Sequence, residues 1–66
     1  MKVIINGETK EFKEDTTLQE LLNELKLEDK VMAAAVNMQI VKQNDWTCHK
    51  LCDGDALELL DFVGGG

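Results

Sequence analysis

Apolar positions along this 66-residue chain change their spacing several times, and each spacing predicts a different element. Met1-Lys2-Val3-Ile4-Ile5 runs into Asn6-Gly7, the dipeptide that suits a type I′ turn because both central residues there need positive φ. A two-residue loop fixes the register of the hairpin that ends at Phe12. Ile5 faces Glu8, Val3 faces Lys10 and Met1 faces Phe12, so Met1, Val3, Ile5 and Phe12 share the face destined for the core. Lys2 and Glu11 pair on the other face. The spacing then becomes helical: Leu18, Leu21, Leu22 and Leu25 fall at i, i+3, i+4 and i+7 and form one stripe. Thr17 with Glu20 three residues on predicts a capping box, and Asp15 adds negative charge near the helix start. The stripe is too narrow for a membrane anchor and suits a helix lying on a sheet.

Val31 to Val36 is a compact apolar run, too short for a helix despite Ala33, Ala34 and Ala35, and it reads as a strand. Asn37-Met38-Gln39 predicts a turn, and Ile40-Val41 a short returning strand. Gln43 to Leu51 carries no clear period; Trp46 within it is expected to anchor the core or its rim. Asp53-Gly54-Asp55 predicts another turn. The last strand follows in Ala56-Leu57-Glu58-Leu59-Leu60-Asp61-Phe62-Val63, with Leu57 and Leu59 inward. Leu60 and Phe62 then lie on the outward face, where exposed apolar side chains predict a docking patch that Val63 joins. One domain over 1–63 and a flexible glycine tail over 64–66 account for the whole length.

A chain this short buries only about 60% of its unfolded surface, which leaves no room for a deep internal active site. Its composition, 44% apolar and 30% charged, is that of a folded globular domain. The net charge is −6 and all seven basic residues are lysines, so a polyanion is repelled and nucleic acid is not an expected partner. A partner with a basic docking face is the natural complement. No stretch approaches the roughly 20 apolar residues of a membrane span, and the short opening run is no signal peptide, so a cytoplasmic location is expected. In that compartment Cys48 and Cys52 are expected as free thiols.

Catalytic chemistry has few candidates. The chain contains no serine, tyrosine or arginine, and His49 is its single imidazole, so no Ser-His-Asp triad can form. Cys48 and His49, as neighbours in extended chain, would point to opposite faces. Cys48, His49 and Cys52 lack the second ligand pair of a closed zinc site, and no metal is expected.

Attention therefore falls on Gly64-Gly65-Gly66, directly after the last strand. At ordinary glycine usage, three in a row at a given place arise by chance about 3 times in 10,000, which favours a functional tail over a frayed end. A terminal carboxylate, with a pKa of about 3.5, is ionised and a poor acyl electrophile. Attack on the α-phosphate of ATP turns it into an acyl-adenylate, from which sulfide or a persulfide can displace AMP to leave a thiocarboxylate. Without a Cβ the tail can pass a narrow channel. From Val63 to the end it reaches roughly 13 Å.

With Val3-Ile4-Ile5-Asn6-Gly7, Thr17-Leu18-Gln19-Glu20-Leu21-Leu22, Ala35-Val36-Asn37-Met38-Gln39-Ile40-Val41, Trp46 and Asp53-Gly54-Asp55 leading into Phe62-Val63-Gly64-Gly65-Gly66, the chain resembles the ThiS family of thiamine-biosynthesis sulfur carriers, among the ubiquitin-like β-grasp proteins. The resemblance covers nearly the whole length. It implies an α+β fold, a mixed four- to five-stranded sheet with first and last strands parallel at its centre and one helix across one face. It implies a protein cosubstrate, not an enzyme. Gly66 would be adenylated by an E1-like adenylyltransferase (ThiF) using ATP and Mg²⁺, with no cofactor bound by the carrier itself, and converted to a thiocarboxylate with sulfur from a persulfide donor. Thiazole synthase (ThiG) would receive the sulfur, with Gly64 and Gly65 threading into the partner. That Leu60, Phe62 and Val63 contact these enzymes follows instead from their face and position on the last strand. The small subunit of molybdopterin synthase (MoaD) shares this chemistry, and a ubiquitin-like modifier or a plain interaction domain are further readings. The thiazole carrier is favoured by the Asn37-Met38-Gln39-Ile40-Val41 and Phe62-Val63-Gly64 pieces.

Overall fold

The computed structural model of the protein describes residues 1–61. Strands β1 (Lys2–Ile5) and β2 (Glu8–Glu11) form the opening hairpin, followed by α1 (Leu18–Glu24), β3 (Val31–Val36), β4 (Gln39–Val41) and β5 (Ala56–Asp61). Asn6 and Gly7 adopt φ of 49° and 90°, the left-handed pair the two-residue turn needs. The register follows: Ile5 opposes Glu8, Val3 opposes Lys10 and Lys2 opposes Glu11. Met1 and Phe12 extend the pairing by exchanging two hydrogen bonds, Phe12 N–H to Met1 O at 2.9 Å and the Met1 ammonium to Phe12 O at 2.7 Å.

All five strands join one sheet in the order β2-β1-β5-β3-β4. β1 and β5 run parallel, whereas β3 is antiparallel to both β5 and β4. The last strand thus occupies the centre with the first beside it, the β-grasp arrangement expected from the resemblance. Helix α1 closes the inner face. Its buried Leu18, Leu21 and Leu22 meet Val3, Ile5, Ala34, Val36, Leu57 and Leu59 in one core, with Leu25 at its margin.

The capping box is present in full. Glu20 N–H donates to Thr17 Oγ1 at 3.1 Å, and Thr17 N–H donates to Glu20 Oε1 at 2.9 Å. With only seven residues, α1 has little propagation energy of its own, and its ends matter accordingly. Thr17→Ala is expected to cost about 1 kcal/mol. That should lower the thermal midpoint by about 4–8 °C, read by circular dichroism.

Residues 43–51, where the sequence shows no period, form a single 3₁₀ turn (Gln43–Asp45) and a loop that ties α1 to the sheet. Leu18 N–H donates to His49 O at 2.9 Å and Gln19 N–H to Trp46 O at 3.0 Å, so the loop satisfies two of the helix's first amides. Trp46 is buried to 1% exposure, and its Nε1–H donates to Val41 O at 2.9 Å. Cys48 and His49 are not neighbours in extended chain as expected. Both lie on this turn, their amides donating to Asp45 O, because the 3₁₀ turn continues past Trp46. Both cysteines are exposed free thiols.

Candidate functional site

Two pairings, one on each flank, set the course of β5. Ile4 and Ile5 pair with Ala56 and Leu57, and the Asn6 amide donates to Leu57 O as β1 gives way to the turn. On the other flank β3 stays beside β5 as far as the Val31–Asp61 pair, with a register shift between Val31 and Ala33. The strand therefore runs out of the sheet along β3. Leu57 and Leu59 point inward and are buried; Glu58 and Leu60 point outward and are exposed, the alternation read from the sequence.

Leu60 is 58% exposed and does not stand alone. It pairs with Ala33, Glu58 pairs with Ala35, and Ala35 pairs with Ile40 on β4. Two alanines thus floor a shallow open groove of about 230 Å³ whose sides are Leu60 and Ile40, the latter 72% exposed. Small residues on a central strand between larger ones on both neighbours leave a trough where a flat sheet face would otherwise be. Among the described residues, Glu58 is the one charged side chain lining it, so an apolar side chain beside a basic group complements it.

Of the site residues the sequence proposes, Leu60 lies on the outer face as expected. Phe62, Val63, Gly64, Gly65 and Gly66 lie outside the described residues. The sequence reading missed Ala33, Ala35, Ile40 and Glu58 as surroundings of Leu60. The only signal for them was the i, i+2 spacing of the alanines, which becomes a trough only once the register of β3 against β4 and β5 is known. Among the described residues, no group of three or more His, Cys, Asp or Glu side chains is placed to hold a metal ion, and no helix is long and apolar enough to cross a membrane.

Comparison with known proteins gives concordant results. Residues 3–66 match the ThiS family. The chain is 38% identical over 63 residues to the sulfur carrier protein ThiS of Bacillus subtilis, covering 94% of this chain and 96% of that one. It is also 38% identical over 66 residues to a thiazole synthase of Paramagnetospirillum magneticum, where it takes in 100% of this chain but spans only 20% of the relative's length. Among solved structures, the crystal structure of the thiamine biosynthesis protein ThiS from Geobacter metallireducens superposes with a TM-score of 0.81 at 28% identity, with 100% of both chains covered.

Proposed function

This chain belongs to the ThiS family of sulfur carriers of thiamine biosynthesis, and from that membership we propose that Gly66 is the residue that takes up and surrenders the sulfur. One observation carries the reading. The match to the family runs from residue 3 through β5 to residue 66, so it takes in all three glycines.

An adenylating enzyme of the E1-like class supplies ATP and Mg²⁺. A carboxylate oxygen of Gly66 attacks the α-phosphorus, the bond to pyrophosphate breaks, and the carbonyl carbon gains AMP as a leaving group. The terminal sulfur of an enzyme persulfide then attacks that carbon and expels AMP. A second thiol reduces the resulting acyl disulfide, becoming oxidised as it frees the thiocarboxylate. This chain contributes no acid, base or nucleophile to those steps beyond its own terminus. Its part is to present Gly64, Gly65 and Gly66 at the end of a rigid central strand, with Leu60, Phe62 and Val63 and the Ala33–Ala35 trough as the docking surface.

Thiazole synthase is the proposed recipient. The similarity of the whole chain to a stretch of a protein named thiazole synthase supports this. The same similarity sets the thiazole reading above the molybdopterin one. The test is to offer the sulfur-loaded chain to purified thiazole synthase and, separately, to the molybdopterin synthase large subunit. Sulfur should pass to the thiazole product alone; transfer only to molybdopterin overturns the assignment.

Leu60→Asp probes the docking surface. A carboxylate in the apolar trough must be desolvated or leave the partner's apolar group exposed, so binding to the adenylating enzyme should weaken at least about tenfold by titration calorimetry. Because Leu60 is already exposed, stability should stay within about 0.5 kcal/mol of the parent.

A further inference from the structure

Two asparagines open the two hairpin turns of this fold, and both send their side chains to the same strand. Asn6 (φ 49°) starts the β1–β2 turn and Asn37 (φ 51°) the β3–β4 turn, each in left-handed backbone that asparagine tolerates. Asn37 Oδ1 accepts the Ala56 N–H at 3.0 Å, where β5 begins, and Asn37 Nδ2 donates to Asp55 Oδ1 at 3.0 Å. Asn6 Oδ1 accepts the Leu59 N–H at 2.9 Å, near the other end of β5 and 53 residues away in sequence.

The two contacts have unequal consequences. The first residues of β5 are held on both flanks, by β1 through Ala56 and Leu57 and by β3. Beyond Leu57, β1 has turned away, and its side of β5 is held by the Asn6 amide oxygen standing where a strand carbonyl would continue the ladder. Opposite, the β3 ladder shifts register between Val31 and Ala33, just where β5 ends. Without Asn6 Oδ1, Leu59, Leu60 and Asp61 keep their pairs with Ala34, Ala33 and Val31 of β3 but lose the hold on the β1 side, so the strand end is steadied on one flank by a ladder that shifts register there. We infer that Asn6 is a positioning residue for sulfur loading: its side-chain oxygen fixes the direction in which the last strand leaves the sheet, and so aims the chain end at the partner's active site.

This inference rests on the carrier function proposed above. An acyl group must sit within about 3–3.5 Å of its reaction partner, so spread in the direction of the strand end lowers the reactive fraction after docking. Docking through Leu60 and the trough is kept, because the Leu60–Ala33 pair that forms it does not involve Asn6. Loss of Asn6 should therefore lower kcat and spare KM.

The test uses three variants with an E1-like adenylating enzyme and ATP, well below each variant's thermal midpoint. Asn6→Gly keeps the turn conformation and removes the acceptor; kcat for pyrophosphate release should fall about three- to tenfold, the worth of one hydrogen bond, at unchanged KM. Asn6→Asp keeps an acceptor and should restore kcat to near the parent value. Asn37→Gly removes the matching hydrogen bond to Ala56 at the start of β5, together with the one to Asp55, and should leave kcat unchanged, although it too lowers stability. In amide exchange, Asn6→Gly should speed Leu59 about tenfold and leave Ala56 protected. A parent-like kcat for Asn6→Gly, or equal losses for Asn6→Gly and Asn37→Gly, overturns the positioning role. A parent chain that the enzyme never charges overturns the carrier function instead; the exchange experiment still decides, because unchanged exchange at Leu59 in Asn6→Gly sinks the clamp.

Discussion

Deleting Gly65 and Gly66 is expected to abolish sulfur loading while leaving the domain as stable as before. Two residues of extended chain span roughly 7 Å, so the new terminal carboxylate falls short of the partner's ATP by twice the distance at which it must react. Such a shortfall is not a small misplacement, and turnover should drop by more than about 10³-fold, to the background of a single-turnover assay. The buried core among the described residues reaches as far as Leu59, and glycine has no side chain to contribute to a core, so little stability should be lost. Urea midpoints of the deleted and intact chains should agree. Replacing the same two residues with alanines separates reach from width. The length is restored, but each Cβ must pass the same channel, so an intermediate rate is expected. A truncated chain that still accepts sulfur would place the acceptor elsewhere.

The largest effect on stability is expected from Trp46→Ala. Trp46 is the largest fully buried side chain and holds β4 through Val41 O while its own carbonyl receives the Gln19 amide of α1. Truncating it opens a cavity and strands the Val41 carbonyl, a loss of about 3–5 kcal/mol. For a domain of this size the whole stability is about 3–10 kcal/mol. The variant should therefore melt about 15–30 °C lower by circular dichroism, or fail to fold at all. Trp46→Phe keeps most of the bulk and removes the indole donor, so it should lose only about 1–2 kcal/mol. If Trp46→Ala melts within a few degrees of the parent, residues 43–51 are not the brace described above.

What the sequence disclosed and what it hid divide along a physical line. The first hairpin was legible because Asn6-Gly7 dictates its own turn and thereby every pair between β1 and β2. The helix start was legible because Thr17 and Glu20 satisfy each other's amides within one turn. Val31 to Val36 was settled by length against the helical preference of its alanines, and the sheet indeed holds it. In contrast, residues 43–51 have no period of their own because they serve partners up to 35 residues away, capping α1 and bracing β4. The trough beside Leu60 was hidden for the same reason: Ala33, Ala35 and Ile40 become neighbours of the last strand only through cross-strand register. Asn6 and Asn37 announced turns, which they form, and gave no hint that their side chains reach β5. Local chemistry is written in local sequence, whereas contacts across a mixed sheet are written in its topology.

The most direct measurement of the central claim is the intact mass of the chain after incubation with ATP, Mg²⁺, an E1-like adenylating enzyme, a persulfide donor and a thiol reductant. The mass should rise by the exchange of one oxygen for one sulfur, with fragment ions assigning the change to Gly66. An unchanged mass under conditions where the enzyme charges an established carrier, or sulfur found on Cys48 or Cys52 in place of Gly66, contradicts it.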